Sequence, residues 1–127
     1  MKYEKKLAKV QSAQLEIKDR GILMFYITVD YEEGCSQNVG ALCLDSYDKV
    51  KEKRVGTAYG CEMIRRCLLE FDVNDFSEMK GKYIWVLGEG EDFSFTPKGL
   101  QKLVVDGGKE KEPFIFSEVF EQFKEKE

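Results

Sequence analysis

The sequence predicts an α+β domain: an antiparallel sheet packed by one central helix, with a second helix near the C-terminus. Apolar and polar residues alternate on both sides of a single long helical pattern, Arg54–Phe71. The links between the strand-like segments are of hairpin length, which favours antiparallel neighbours. We expect about five or six strands, as in small OB-like folds, and the pattern leaves open whether the sheet curls into a barrel.

The size and composition of the chain favour one soluble globular unit. Its 127 residues, 43% of them hydrophobic, suffice for a single core, so we assign residues 1–127 to one domain. Residues 113–127 are interpreted as a docking helix and a charged tail.

The first strands are predicted from alternation. Lys6–Lys18 alternates in two phases, which predicts a bulge near Gln11. A turn follows at Asp19–Gly21, and Ile22–Tyr31 is apolar on both sides, which predicts a central strand. After a polar loop, Val39–Leu44 is a short third strand.

The helical pattern follows a charged segment, Ser46–Arg54, which we interpret as a mobile connection. Thr57 is the expected N-cap. Gly60 in the first turn costs about 1 kcal/mol relative to alanine, so it indicates close packing or, as the alternative, a ligand at its backbone. The predicted apolar face is Cys61, Ile64, Cys67, Leu68 and Phe71. The predicted polar face is Glu62, Arg65, Arg66 and Glu70.

The second half is predicted to hold three more strands. They are Lys82–Leu87, Phe93–Thr96 and Leu100–Val105. Pro97 and Gly99 should interrupt the pattern. We assign Tyr83 and Trp85 to the core; the alternative is a base-stacking platform that also uses Lys80 and Lys82.

The C-terminal segment carries aromatic residues at helical spacing. Phe116, Phe120 and Phe123 fall at i, i+4 and i+7, and Ser117 is a candidate cap. Because exposed phenylalanine rings are unfavourable, this helix should dock on its own domain or on a second copy. We expect a homodimer through these three rings.

Composition excludes several classes of function. The net charge of -4 argues against nucleic-acid binding. The chain has no histidine, which removes Ser-His-Asp and Cys-His nucleophile systems and histidine-ligated metals. The four cysteines form no CxxC pair, and we expect no metal, cofactor or catalytic residue. No apolar run is long enough to span a bilayer and no leader pattern is present, so we expect a cytoplasmic protein without membrane contact.

The candidate site lies around the helix start. Asp45, Arg54 and Glu62 should form a charge cluster there, interpreted first as a structural ion pair beside a cap. The alternative is a site for a small anionic ligand or a partner, and Mg²⁺ held by Asp45 and Glu62 is a weaker one. The full candidate set is Gln37, Asn38, Asp45, Arg54, Thr57, Tyr59 and Glu62.

Four segments, with RVGTAYGCEMIRR as the most specific, resemble a family of small proteins of unknown function encoded in bacteriophage and prophage genomes. They are Asp19–Leu23, Gly34–Asp45, Arg54–Leu68 and Met79–Val86. The loop before Asp45 is poorer in glycine than in the family, and Phe76 and Asp72 stand where tryptophan and glycine are usual. The resemblance implies a phage-type accessory protein and brings no known activity.

Three hypotheses about function follow. The first is a non-enzymatic protein that binds a host macromolecule, for example an inhibitor of a bacterial defence system of the anti-CRISPR kind. The second is a small-ligand or nucleotide-binding protein that acts as a sponge. The third is a binder of single-stranded nucleic acid.

Overall fold

Residues 3–91, 94–105 and 107–124 are described by a computed structural model, which confirms the α+β class. The strands are β1 Glu4–Lys18, β2 Ile22–Tyr31, β3 Ser36–Cys43, β4 Asp45–Asp48, β5 Lys53–Gly56, β6 Tyr83–Glu89, β7 Thr96–Lys102 and β8 Phe114–Ile115. The helices are α1 Ala58–Glu70 and α2 Phe116–Lys124, and single 3₁₀ turns lie at Asp19–Gly21 and Phe76–Met79.

The strands form one six-stranded antiparallel sheet in the order β3-β2-β1-β6-β7-β8, and β4 and β5 form a separate hairpin. The outer strands β3 and β8 do not pair with each other, so the sheet is open rather than a closed barrel. The central position predicted for β2 is confirmed, since it lies between β3 and β1.

The long strand β1 organises this sheet. It pairs with β2 from Ala8 to Lys18, but with β6 only from Glu4 to Lys9. The register with β2 shifts between Val10 and Ser12, which confirms the predicted bulge near Gln11. Beyond the bulge, β1 therefore has a described partner strand on one side only.

The core lies between one face of the sheet and both described helices. Phe25, Ile27 and Val29 of β2 are fully buried and belong to the same apolar cluster as Met63 of α1 and Val119 of α2. The opposite face carries no helix in the part of the chain that the structure describes. None of the described helices is both long and apolar enough to cross a membrane.

Several local predictions need correction in the first half. The charged segment after Leu44 is not a simple connection, because Asp45–Asp48 and Lys53–Gly56 pair as a hairpin. Thr57 is the N-cap as predicted, and its side chain accepts a hydrogen bond from the Gly60 amide. Glu70, predicted on the polar face of the helix, is buried, and its carboxylate accepts the Lys102 N–H at 3.1 Å.

The second half also departs from the pattern. Pro97 and Gly99 lie inside β7 and do not end it, but the register with β6 shifts between them, as the predicted break in the pattern implies. At Gly99 the missing side chain leaves room for β8. No strand covers Ser94 or Phe95, and Phe93 is outside the described residues. Ser117 lies inside α2, which begins one residue earlier, so it does not cap that helix.

The core assignment of Tyr83 and Trp85 is wrong. On β6 it is Ile84 and Val86 that are buried against the helices, 1% and 0% exposed. Because side chains alternate along a strand, the two aromatic rings lie on the opposite face. There Tyr83 is 53% exposed. Both pairs of β6 residues, Tyr83 with Trp85 and Ile84 with Val86, are apolar enough to form a core. Only the position of the helices decides which pair is buried.

Candidate functional site

The charged residues at the helix start form a compact internal network. Asp45 is buried, and its Oδ1 accepts from Arg54 Nη2 at 2.7 Å and from Nε at 3.1 Å. Its Oδ2 accepts the Leu23 N–H at 3.1 Å. The hydrogen bond from Arg54 lowers the pKa of the Asp45 carboxyl below its usual value. Both oxygens of Asp45 are therefore engaged by the chain itself.

Thr57 and Gly60 join the helix start to the strand before it. The Thr57 hydroxyl donates to the Leu44 carbonyl at 2.7 Å and accepts the Gly60 N–H at 3.0 Å. A Cβ at position 60 would overlap that same Leu44 carbonyl oxygen. The close-packing interpretation of this glycine is supported, because the backbone that an anion would approach is covered by Leu44.

Tyr59 belongs to the same region. Its hydroxyl donates to the Cys43 carbonyl at 3.2 Å, and its ring packs edge-on against Phe120 with centroids 5.3 Å apart. A shallow groove between β3, α1 and α2 has this ring as one wall and Met63 as another. Four of the seven predicted site residues thus converge here, with a mainly structural role.

The other three predicted residues lie elsewhere. Glu62 makes a long ion pair of 3.5 Å with Arg65 on the surface of α1. Gln37 and Asn38 are neighbours on β3, so their side chains point to opposite faces of the sheet. The Asn38 amide oxygen accepts from the Thr28 hydroxyl at 2.7 Å on the face without helices.

Gln37 lines a cleft at the end of the sheet, here called the Tyr31 cleft, with a volume of about 360 Å³. Its main walls are the rings of Tyr31 and Phe95, which meet edge-on with centroids 6.3 Å apart. The Lys6 ammonium lies 5.1 Å and 4.9 Å from these two ring centroids and 3.7 Å from a Glu33 oxygen.

Hydrogen bonds define the polar side of the Tyr31 cleft. Burial raises the pKa of the Tyr31 hydroxyl to about 12, so at neutral pH it remains a donor and gives its proton to Gln37 Oε1 at 2.6 Å. Gln37 Nε2 donates to the Phe95 carbonyl at 3.4 Å. Gln37 and Lys6 both line the cleft, and their amide and ammonium groups are donors that suit a ligand with hydrogen-bond acceptors.

The face of the sheet opposite the helices, here called the open face, is the second notable surface. It is formed by the β1, β2, β3 and β6 side chains that alternate with the core residues, among them Tyr26, Thr28, Asn38, Tyr83 and Trp85. Each of its three aromatic rings has a lysine ammonium above it. The centroid distances are 5.6 Å for Lys5 and Trp85, 5.9 Å for Lys9 and Tyr83, and 5.3 Å for Lys18 and Tyr26.

Charges on the open face are largely balanced. Lys18 pairs with Glu16 at 2.6 Å, and Lys5 pairs with Glu110 at 3.3 Å. Asp30 accepts hydrogen bonds from Gln11 and, at 2.5 Å, from Ser36. The face therefore lacks the surplus positive charge that phosphate backbones require, and it combines aromatic rings with neutral polar groups.

Residues 3–91, 94–105 and 107–124 contain neither a metal-binding cluster of side chains nor an activated core thiol. No group of three or more Cys, Asp or Glu side chains there is placed to hold a metal ion. Burial raises the pKa of the Cys67 thiol to about 12, so this core cysteine is not a thiolate at neutral pH.

Comparison with known proteins gives no match: no family model, no curated protein and no solved structure is similar to this chain. A proposal for the function of this chain therefore rests on its own geometry.

Two surfaces were missed by sequence reasoning. Tyr31 ends an apolar strand and Phe95 sits near a turn, and no spacing rule joins residues so far apart in the chain. A signal for the open face did exist. The β6 segment YIWVL is apolar in both phases, so one phase had to face away from the core unless helices covered both faces.

Proposed function

We propose that this chain is a non-enzymatic accessory protein of phage type that binds a protein of the bacterial host through its open face. The observation that carries the proposal is the combination of exposed Tyr83 with Tyr26, Trp85, Thr28 and Asn38 on a surface without a helix. Tyrosine and tryptophan give large, rigid contact areas and are enriched in protein interfaces.

The charge on this face favours a protein over a nucleic acid. Two of its three lysines are already paired with carboxylates, and the whole chain carries a net charge of -4. A single strand of nucleic acid could stack on the same rings, but it would meet little uncompensated positive charge. The resemblance to phage-encoded proteins supports a target in the host cytoplasm, such as a component of a defence system.

The test uses two tyrosines of nearly equal exposure. Tyr83 is 53% exposed on the open face, and Tyr47 is 55% exposed on the β4–β5 hairpin. The intact protein, Tyr83→Ala and Tyr47→Ala are used as baits in nuclease-treated lysate of the bacterial host, and the captured protein is then purified and titrated. We expect Tyr83→Ala to weaken binding about 30-fold, the effect of losing one central interface residue at about 2 kcal/mol. We expect Tyr47→Ala to bind like the intact protein.

Equal binding by both variants would contradict the use of the open face. In parallel, fluorescently labelled single-stranded DNA and RNA are titrated with the three proteins and followed by anisotropy. Oligonucleotide binding that Tyr83→Ala removes and Tyr47→Ala keeps would favour the nucleic-acid alternative instead.

A second candidate function, binding of a small ligand, rests on the Tyr31 cleft. Aromatic walls beside a lysine ammonium suit a planar ring that carries an anionic group, which is the chemistry of a nucleotide. We expect AMP or UMP to bind to the intact protein in isothermal titration calorimetry, and Lys6→Met to lose that binding. Lys9→Met, which removes a lysine from the open face, is the matched control. Absence of heat with both nucleotides, or equal binding by the two variants, counts against this function.

We also propose a homodimer through the aromatic rings of α2. Phe116 and Phe123 pack against the core of their own chain, while Phe120 is 45% exposed. Docking of α2 within the chain leaves one ring, Phe120, with substantial area for a second copy. Phe120→Glu therefore tests this interface, and the oligomeric state of the variant is the measurement.

A further inference from the structure

The peptide groups of β2 show which way those of β1 must point. The Leu23 N–H donates to Asp45, and its carbonyl accepts the Leu44 N–H at 2.9 Å, so both Leu23 groups point away from β1. The Tyr31 N–H likewise donates to the Cys35 carbonyl in the β2–β3 turn. The register of β2 against β1 is constant from Ile22 to Thr28, so its odd-numbered residues all face away from β1.

In an antiparallel pair, residues opposite such positions also direct their peptide groups outward. Ala13, Leu15 and Ile17 lie opposite odd-numbered residues of β2, so their N–H and C=O groups point to the other side of β1. Before the bulge, that side is occupied: Val10 bonds to Lys82 and Gly81 at 2.8 Å each. After the bulge, no described strand lies there, because β6 pairs only as far as Lys9, although the 3₁₀ turn Phe76–Met79 packs against β1. Residues Ser12–Lys18 therefore form a strand edge without a described partner strand, here called the free edge.

Side chains at the free edge are apolar and exposed on the helix side of the sheet. Leu15 is 47% exposed and Ile17 is 64% exposed, although the residues opposite them, Phe25 and Leu23, are covered or partly covered. An edge with unpaired peptide groups and exposed aliphatic side chains is a template for a further strand.

We propose that the free edge pairs with the same edge of a second copy, in antiparallel orientation about a two-fold axis at Leu15. Leu15 then lies opposite Leu15 of the second copy, and Ala13 lies opposite its Ile17. All three outward-facing residues of each chain form hydrogen-bonded pairs, with two bonds per pair. The axis is perpendicular to the sheet, so the exposed Leu15 and Ile17 side chains of both copies meet on one face.

The charges select this register. Glu16 lies opposite Gln14 of the second copy and Lys18 lies opposite Ser12, so no like charges face each other directly. Moving the axis one residue towards the C-terminus places Glu16 opposite Glu16. Moving it one residue further pairs Leu15 with Asp19, which already belongs to the 3₁₀ turn. Moving it one residue towards the N-terminus pairs Val10 with Lys18, where Val10 is already bonded to Lys82 and Gly81.

Such a dimer doubles the sheet and places the two open faces side by side. The inference stands whether or not the open face binds a protein. A strand pair of this length is small beside a standard interface of about 1,600 Å², so the association is expected to be weak and must be measured over a concentration series.

The first experiment is sedimentation velocity on the intact protein up to hundreds of micromolar. We expect a reversible dimer in the intact protein. Ile17→Lys should weaken the dimer at least tenfold, because it places a charge in the shared apolar patch. Leu15→Pro should do the same, because it removes the N–H at the axis while the β1–β2 bonds remain. Val50→Lys, at a position 93% exposed on the β4–β5 hairpin, is the matched control and should dimerise normally.

Circular dichroism establishes that the variants are folded. A monomer at every concentration overturns the proposal and would assign the edge to an extended segment of another protein. A dimer that Ile17→Lys leaves unchanged overturns it too, even if Leu15→Pro fails to fold.

The second experiment tests the register by disulfide formation. Cys35, Cys43 and Cys61 are exposed and are first replaced by serine. In that background, Leu15→Cys should cross-link under mild oxidation, because paired Cα atoms in a strand pair lie about 5.5 Å apart. Ile17→Cys should not, because the two copies of residue 17 are then separated by the length of four residues. Cross-linking through residue 17 but not through residue 15 overturns the proposed register.

Discussion

The two halves of β1 have the same sequence pattern and different environments. In the first half, Ala8 and Val10 are 2% and 1% exposed, with β2 on one side and either β6 or the two residues before it on the other. In the second half, Leu15 and Ile17 are 47% and 64% exposed, with β2 as the only described partner strand. Alternation tells which side chains share a face of a sheet, but a strand's burial also depends on its neighbours.

The difference arises where the chain enters β6. Before Tyr83, only Gly81 and Lys82 bond to β1, at Val10, and the 3₁₀ turn Phe76–Met79 packs against the strand without pairing with it. In that turn, Phe76 stacks on Phe25 with centroids 5.0 Å apart. The outward N–H of Leu23 on β2 is satisfied by Asp45, whereas the groups of its cross-strand neighbour Ile17 face the free edge. The outward peptide groups of the β1–β2 pair are thus hydrogen-bonded at Leu23 on the β2 side and lack a partner strand on the β1 side.

The largest loss of stability is expected at Gly60, where the start of α1 packs directly against the backbone of Leu44. In Gly60→Ala, the new Cβ meets the Leu44 carbonyl oxygen, whereas a Cβ at Gly56 would meet nothing within 4 Å. We expect Gly60→Ala to destabilise the domain by about 3 kcal/mol, since overpacking against backbone is poorly relieved. Gly56→Ala should be nearly neutral. Thermal melts of the two variants measure this, and equal melting temperatures would mean that the helix start is loosely packed.

The second largest loss of stability is expected when Asp45, the acceptor of the outward Leu23 N–H on β2, is removed. Asp45→Ala leaves the partly buried Leu23 N–H without its acceptor, which should cost about 2 kcal/mol. Because the Asp45 pKa is lowered in the folded state, its contribution is present above the unfolded value of 3.8 and is lost as the pH falls through the folded value. Urea unfolding at pH 7 and at pH 3 should therefore show a smaller difference from the intact protein at the lower pH. Glu62→Ala, which removes only a surface ion pair, should change stability little at either pH.

The direct test of the two halves is a pair of truncations. Val10→Ala should cost about 1.5 kcal/mol, because about two buried methylene groups are lost. Leu15→Ala removes more carbon atoms but should cost less in dilute protein, since that side chain is about half exposed. Urea unfolding well below the dimerisation range gives both values. A larger loss for Leu15→Ala would show that the second half is covered after all.

The smallest change in stability is expected at Glu70, the last residue of α1. Burial raises the pKa of its carboxyl, although the Lys102 N–H donates to it. Glu70→Gln keeps an acceptor and removes the charge, so it should raise the melting temperature slightly at pH 7. As the pH falls, the intact protein takes up a proton on Glu70 at the raised pKa of the folded state, before the unfolded chain does so at its pKa of 4.5. Near pH 4 both forms are largely protonated, so the gain in melting temperature should vanish. A gain that is constant with pH would argue against a buried charge.

Local chemistry explains the parts of the fold that the sequence predicted. The bulge near Gln11 followed from a change of alternation phase, and the cap at Thr57 followed from a hydroxyl placed before an apolar helical pattern. Gly60 was recognisable because glycine is unfavourable inside a helix without a packing reason. These features depend on residues within one turn or one strand, so a single stretch of sequence contains the information.

Only the tertiary structure decided which neighbours each element has. Asp45 and Arg54 met as predicted because one hairpin joins them, but Gln37 was separated from them because β3 carries it towards Tyr31 and Phe95. The open face and the free edge share this origin. Tyr83 and Leu15 are exposed because helices cover one face of the sheet and β6 begins beside Lys9, and both choices follow from packing between segments distant in the chain.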